Sequence, residues 1–250
     1  MFYPLFKCVV LVPLLRWLFR PRIEGLEHVP ARGGAIVAGN HQSFCDQFLL
    51  GVTLKRRIHF LAKIEYFQGK GLRGRLAAAF FRGIETIPVD RSGGGAGQAA
   101  VDAGVAVLRR GGLLGIFPEG TRSHDGRLYK GRVGVAAMAL RTGAPVVPCA
   151  MIGTFEAQPA GRRVPSIVPI TLRFGEPLDF SRYAGMADRR AALRAVTDEI
   201  MYAILDLSGQ EYVDRYATEA KAEAQAEAQG QARAGAREQD RTHTLADRAA

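Results

Sequence analysis

The chain has 250 residues, 48% hydrophobic and 23% charged, with a formal net charge of +10, which fits one globular domain with an appendage. Its three cysteines, Cys8, Cys45 and Cys149, are odd in number and widely spaced. That excludes a disulfide framework and a CxxC zinc ribbon, and it suits a reducing compartment. The charge is uneven: from Thr218 to the end five Lys/Arg face six Asp/Glu, so the rest carries about +11. A basic body suggests an anionic partner, whether a phospholipid surface, a nucleic acid or a phosphorylated substrate.

Residues 1–21 are rich in Phe, Leu and Val, with Lys7, Arg16, Trp17 and Arg20 among them. The apolar run Cys8–Leu15 is far short of the ~20 residues that span a bilayer. The segment lacks a basic extreme N-terminus and a small-residue cleavage site, so it does not read as a secretory signal. It is expected to be an apolar helix, packed on the core or lying in a membrane interface with its cations outward; Trp17 and the arginines favour the interface.

Ile23–Val29 suggests a short strand, and Ala35–Ala38 a buried one. The polar stretch Asn40-His41-Gln42-Ser43-Phe44-Cys45-Asp46 follows, and Phe48-Leu49-Leu50 opens a helix. Residues five apart on one helix point about 140° apart. His41 and Asp46 can therefore meet only if His41 lies upstream and Asp46 sits on the first turn, with Ser43 as a plausible N-cap. So placed, Asp46 would fix the imidazole tautomer and leave the other ring nitrogen as a general base. Taken alone, the stretch reads better as a surface His beside a helix-capping Asp.

Ile58–Ala62 is a further strand. From Lys55 to Arg91 nine basic residues face three acidic ones, and Leu72, Leu76, Ala79 and Phe80 recur at helical spacing. A solvated face is the ordinary reading; a membrane surface or a coenzyme's phosphates are the alternatives. No nucleic-acid-binding signature occurs. Gly69-Lys-Gly71-Leu-Arg-Gly74 matches GxGxxG, but no buried strand runs into it, so it reads as a flexible connection. Ile84–Arg91 predicts a strand and exit turn, Ser92–Gly97 a loop, Val101–Leu108 a helix, and Leu113–Phe117 a buried strand ending in Pro118-Glu119-Gly120-Thr121-Arg122-Ser123. A basic loop (Arg127, Lys130, Arg132) leads to a helix over Val133–Leu140, capped by Gly143. Strands at Ala144–Met151 and Ile170–Phe174 and a helix over Arg189–Leu207 complete the domain, residues 22–215. Residues 216–250 form a tail whose part from Thr218 has one large aliphatic, Leu245; it is expected to be disordered or an exposed helix, and dispensable.

Strands alternating with helices imply an α/β domain, in which strand-end motifs converge. His41/Asp46, Arg91 and Glu119/Thr121/Arg122 could then share a pocket. There is no nucleophile elbow and no Walker loop, and His and carboxylates are too few for a zinc site. A base without its own nucleophile must activate water or a substrate hydroxyl, and paired arginines suit a phosphate.

Asn-His-Gln-Ser-Phe-Cys-Asp (40–46) resembles the HX4D block of the glycerolipid acyltransferase family. Ile87-Pro-Val-Asp-Arg91 resembles its second block, Phe-Pro-Glu-Gly-Thr-Arg-Ser (117–123) its third, and Val147-Pro148-Cys-Ala-Met151 its fourth. The blocks stand in family order over roughly residues 20–180. Pro88 and Val89 stand where the family often has bulkier apolar residues, which bears on acceptor preference. The resemblance implies a mixed central sheet flanked by helices, and acyl transfer from acyl-CoA or acyl carrier protein to the sn-2 hydroxyl of lysophosphatidate. It assigns His41 as base, Asp46 as its orienter, and Arg91, Glu119, Gly120, Thr121 and Arg122 as glycerol-phosphate ligands. It implies no metal and no cofactor beyond the donor. The apolar N-terminus and basic middle would hold the protein on an anionic membrane surface at its cytoplasmic face, with no nucleic acid as partner. Other readings are a different lyso-acceptor, a thioester hydrolase, or a membrane-binding protein without activity.

Overall fold

The computed structural model describes residues 20–69, 71, 74, 86–89, 95–159, 161, 162 and 164–230. The expected N-terminal helix, nearly all of the Leu72–Phe80 helix, Arg91, the first half of the Ser92–Gly97 loop and the tail from 231 lie outside them.

Strand β1 (Arg22–Glu24) is shorter than the sequence suggests, and a 3-10 turn at Leu26–His28 replaces its second half. The break is at Gly25, whose φ is 68°; a Cβ there would stand 2.1 Å from the Phe174 carbonyl oxygen. Next come β2 (Ala35–Gly39), α1 (Asp46–Thr53), β3 (Ile58–Lys63) and β4 (Thr86–Val89). Then α2 (Ala96–Arg109), β5 (Leu113–Ile116), β6 (Leu128–Tyr129), α3 (Gly134–Thr142) and β7 (Val146–Ile152) follow. The rest is α4 (Thr154–Ala157), β8 (Thr171–Phe174), α5 (Arg190–Ser208), β9 (Tyr212–Val213) and a helix over 217–230, α6. Among the described residues no helix is long and apolar enough to cross a membrane.

Seven strands form one mixed sheet in the order β1-β8-β7-β2-β5-β3-β4. Strands β7, β2, β5, β3 and β4 run parallel, while β8 pairs antiparallel with β7 and carries β1 alongside. Helices cover both faces. Ile36 and Ala38 of β2 pack with α2, α3 and α5 on one side. Ala35 and Val37 pack with Leu49, Leu50 and Leu172 on the other. A strand buried on both faces reads as a continuous apolar run, as β2 does.

The sequence reading places the last strand at Ile170–Phe174 and a basic loop at 127–132. The structure instead pairs β6 with β9 as a separate two-stranded parallel ribbon. Two residues are too few to show a period. Ser43 is not the N-cap of α1; that position is Cys45, and no side chain caps it. Small residues govern the closest approaches. A Cβ on Gly104 of α2 would stand 2.5 Å from Met138 Sδ of α3. On Gly115 of β5 it would stand 2.3 Å from the Phe60 ring. Gly115→Ala should therefore push that ring aside and cost about 1–3 kcal/mol, as overpacking does, read from the urea midpoint with the slope unchanged.

Candidate active site

Five parallel strands end on one edge of the sheet, and the connections from neighbours β2 and β5 leave in opposite senses, toward β3 and β7. The crevice at such a switch point is where open α/β sheets bind ligands. Asn40 and His41 leave β2 there, and Phe117 to Glu119 leave β5.

Asn40 extends the sheet with its side chain. Its Oδ1 accepts from Met151 N at 2.7 Å, and its Nδ2 donates to Met151 O at 3.1 Å and to Gln210 Oε1 at 2.7 Å. The main chain is thereby free to turn away from β7. His41 follows, with Nδ1 at 2.9 Å from Asp46 Oδ2. The same oxygen accepts from Gln42 N at 2.7 Å and Ser43 N at 2.8 Å. Three donors on one buried oxygen place the charge on Asp46 and the proton on His41 Nδ1. Asp46 lies on the first turn of α1 and His41 upstream, the arrangement the five-residue spacing requires. The imidazole also stacks on Phe117, with centroids 4.1 Å apart and planes 10° apart.

Glu119 is fully buried. Its Oε1 accepts from His41 N at 2.9 Å and its Oε2 from Tyr129 N at 3.0 Å. Each carboxylate oxygen thus holds a backbone N–H group, where the resemblance implied a contact to the glycerol phosphate. Burial pushes its carboxyl up to about 8. Ser123 N closes the site by donating to His41 O at 2.8 Å. Both backbone polar atoms of His41 are thus held by the third block.

Gly120, with φ 77°, lies exposed beside these groups. Thr121 and Arg122 are half-buried on the same turn. Neither side chain has a hydrogen-bond or ion-pair partner among the described residues, and Arg91 lies outside them. On the far side of the turn, Ser43 Oγ and Cys45 Sγ both donate to Gln158 Oε1 at 3.2 Å. Burial pushes the Cys45 thiol up, away from the thiolate a nucleophile needs. Among the described residues no His/Cys/Asp/Glu group is placed to hold a metal ion.

His41 borders a cleft of about 790 Å³ whose walls include Phe60, Ile116, Phe117, Gly120, Val133 and Met138, with Arg132 and Arg141 at its polar side. Asn40, Phe117, Tyr129, Gln158 and Arg132 are the contributors the sequence reading missed as site residues. Asn40 and Phe117 lay within the recognised blocks and Arg132 within the basic loop; for Tyr129 and Gln158 no local signal existed.

The family model described as Acyltransferase matches residues 20–152. The chain belongs to the acyltransferase family. It is 31% identical over 191 residues to the 1-acyl-sn-glycerol-3-phosphate acyltransferase of Bacillus subtilis, covering 76% of this chain and 88% of that one. It is 31% identical over 144 residues to the chloroplastic 1-acyl-sn-glycerol-3-phosphate acyltransferase LPAT1 of Arabidopsis thaliana, spanning 39% of that longer protein. The crystal structure of the 1-acyl-sn-glycerophosphate (LPA) acyltransferase PlsC from Thermotoga maritima superposes with a TM-score of 0.58 at 21% identity, covering 81% of this chain and 85% of that one. At that identity the likeness is one of fold.

Glu119 gives a pH signature. Its folded value near 8 stands above the usual 4.5, so the unfolded chain releases this proton first. Its contribution to stability is complete below about pH 4.5, falls as pH rises, and is gone above about 8, at no more than about 1.4 kcal/mol per pH unit. Urea midpoints from pH 5 to 9 should show this slope in the wild type and a flatter one in Glu119→Gln.

Proposed function

We propose that this acyltransferase moves a fatty acyl group from an acyl thioester to the sn-2 hydroxyl of 1-acylglycerol 3-phosphate, giving phosphatidic acid. The observation that carries the reading is His41: one ring nitrogen locked to a buried carboxylate, the ring facing a large, mostly apolar cleft. The names of the relatives supply the substrate class.

In this reaction His41 Nε2 takes the proton of the acceptor hydroxyl as its oxygen attacks the thioester carbonyl. Asp46 balances the imidazolium that forms. Collapse of the tetrahedral intermediate breaks the carbon–sulfur bond, and the departing thiolate receives the proton from His41. No acyl-enzyme is needed, in keeping with the raised Cys45 thiol and the absence of a nucleophile motif. The apolar wall of the cleft suits an acyl chain. Acyl-CoA or acyl carrier protein serves as donor, and no further cofactor takes part. Gly120, Thr121, Arg122 and Arg91 remain our assignment for the acceptor phosphate. We also place the enzyme on the cytoplasmic face of an anionic membrane, held by residues 1–21 and the basic stretch 55–91, with no nucleic acid as partner.

The purified protein, given a panel of thioesters and lyso-acceptors with products read by mass spectrometry, tests the reading. Phosphatidic acid is the expected product; free fatty acid released at a rate indifferent to lysophosphatidate would mean hydrolysis instead. His41→Ala should lose about 10²–10⁴ in turnover. Arg122→Ala should raise the acceptor KM roughly ten- to a hundred-fold with kcat largely kept, because the phosphate charge does not change during acyl transfer. Deleting residues 1–20 should abolish flotation with anionic liposomes, and binding by the full chain should weaken with salt.

A further inference from the structure

The basic loop before α3 carries three cations, and two are neutralised. Arg127 pairs with Asp125 at 2.7 Å, and Lys130 with Asp214 at 2.8 Å. Of the two arginines lining the cleft among the described residues, Arg141 pairs with Asp102 at 3.4 Å and Asp188 at 3.6 Å. Arg132 is the exception. Among the described residues no carboxylate comes within ion-pair range of its guanidinium. Its Nη2 donates to Thr218 Oγ1 at 3.0 Å, and its Cζ lies 5.1 Å from the centre of the Tyr216 ring. A hydroxyl and an aromatic face steady a guanidinium without cancelling its charge.

The position of Arg132 is set from both ends. Its backbone nitrogen donates to Pro118 O at 2.8 Å. Its Nε lies 3.0 Å from where a Cβ on Gly120 would stand, so the side chain runs directly over the third block. Arg132 and His41 border the same cleft. Neither Thr121 nor Arg122 is among the residues that line it.

We propose that Arg132 binds a phosphate group of a substrate seated in this cleft, and that the Tyr216–Thr218 segment leading into α6 holds it in place. The inference rests on the acyltransferase reading and adds a cation outside the four recognised blocks. It also gives the C-terminal segment a part in substrate binding, through a side chain rather than through stability. The phosphate is either the acceptor's phosphomonoester or one carried by the donor, and a guanidinium with free N–H groups suits both.

The test uses the full-length protein and the variants Arg132→Ala, Arg132→Lys and Tyr216→Leu/Thr218→Val. Acceptor is varied between lysophosphatidate and phosphate-free monoacylglycerol, and donor between acyl-CoA and an acyl N-acetylcysteamine thioester. Arg132→Ala should raise KM roughly ten- to a hundred-fold for one phosphate-bearing substrate, with kcat largely kept and the phosphate-free counterpart little changed. Arg132→Lys should recover part of the loss, and the Tyr216/Thr218 variant should show a smaller shift of the same kind. A rise in the lysophosphatidate KM identifies the acceptor's phosphate, and a rise in the acyl-CoA KM the donor's. Unchanged KM values, or equal losses with phosphate-free substrates, would overturn the proposal. Calorimetric titration with lysophosphatidate and with CoA supplies a readout without turnover. If the wild type made no phosphatidic acid yet Arg132→Ala still weakened one of these titrations, the anion site would stand and the substrate reading would fall. Should Arg132→Ala fail to fold, Arg132→Lys and the Tyr216/Thr218 variant carry the same comparisons.

Discussion

Asp46 Oδ2 accepts from His41 Nδ1, Gln42 N and Ser43 N, and these three bonds set the path of the turn between β2 and α1. A carboxylate removed from water is costly unless donors replace the solvent. Here the chain supplies three to Oδ2 from the five residues before it, while Oδ1 is buried with no hydrogen-bond partner among the described residues. The position on the first turn of α1 adds the favourable end of the helix dipole. The same contacts that make the buried charge tolerable hold the imidazole in one tautomer, so folding of the turn and preparation of the base are one event.

Glu119 is the second buried carboxyl, and its surroundings give it another task. It has two backbone donors rather than three on one oxygen, and burial dominates its acidity. It ties the exit of β2 to Tyr129 of β6, across the gap from which β2 and β5 send their chains in opposite senses. Phe117 completes the arrangement by stacking under His41, itself backed by Phe60 at 5.9 Å. The imidazole is thus fixed edge-on by Asp46, face-on by an aromatic ring and along its backbone by the third block. Such over-determination keeps a catalytic group within the small tolerances that proton transfer allows.

Charge around the cleft is arranged by pairing rather than by number. The chain is strongly basic, yet Arg127, Lys130, Arg141 and Arg194 are each matched by a nearby acid. Arg132 is steadied by Tyr216 and Thr218, and α6 is mostly exposed after Ala217, which is buried. The C-terminal segment therefore meets the body just where the body borders its cleft.

What the sequence alone determined is whatever depends on neighbours a few residues apart. The buried run of β2, the cap at Gly143, and the five-residue spacing that puts His41 upstream of Asp46 all follow from local backbone geometry. The order of the blocks added the family. Tertiary structure decided the partners. Glu119 reaches His41 across 78 positions, Asn40 reaches Met151 across 111, and Arg132 reaches Thr218 across 86. A glutamate beside a glycine looks the same in sequence whether it faces a ligand or grips a backbone nitrogen. Only the pairing of β2 with β5 and the opposed courses of the chains leaving them buried Glu119 and left both its oxygens facing main chain. The two-residue strands β6 and β9 were hidden for a related reason: each is too short to show a period, and they exist only because the chain brings Leu128 beside Tyr212.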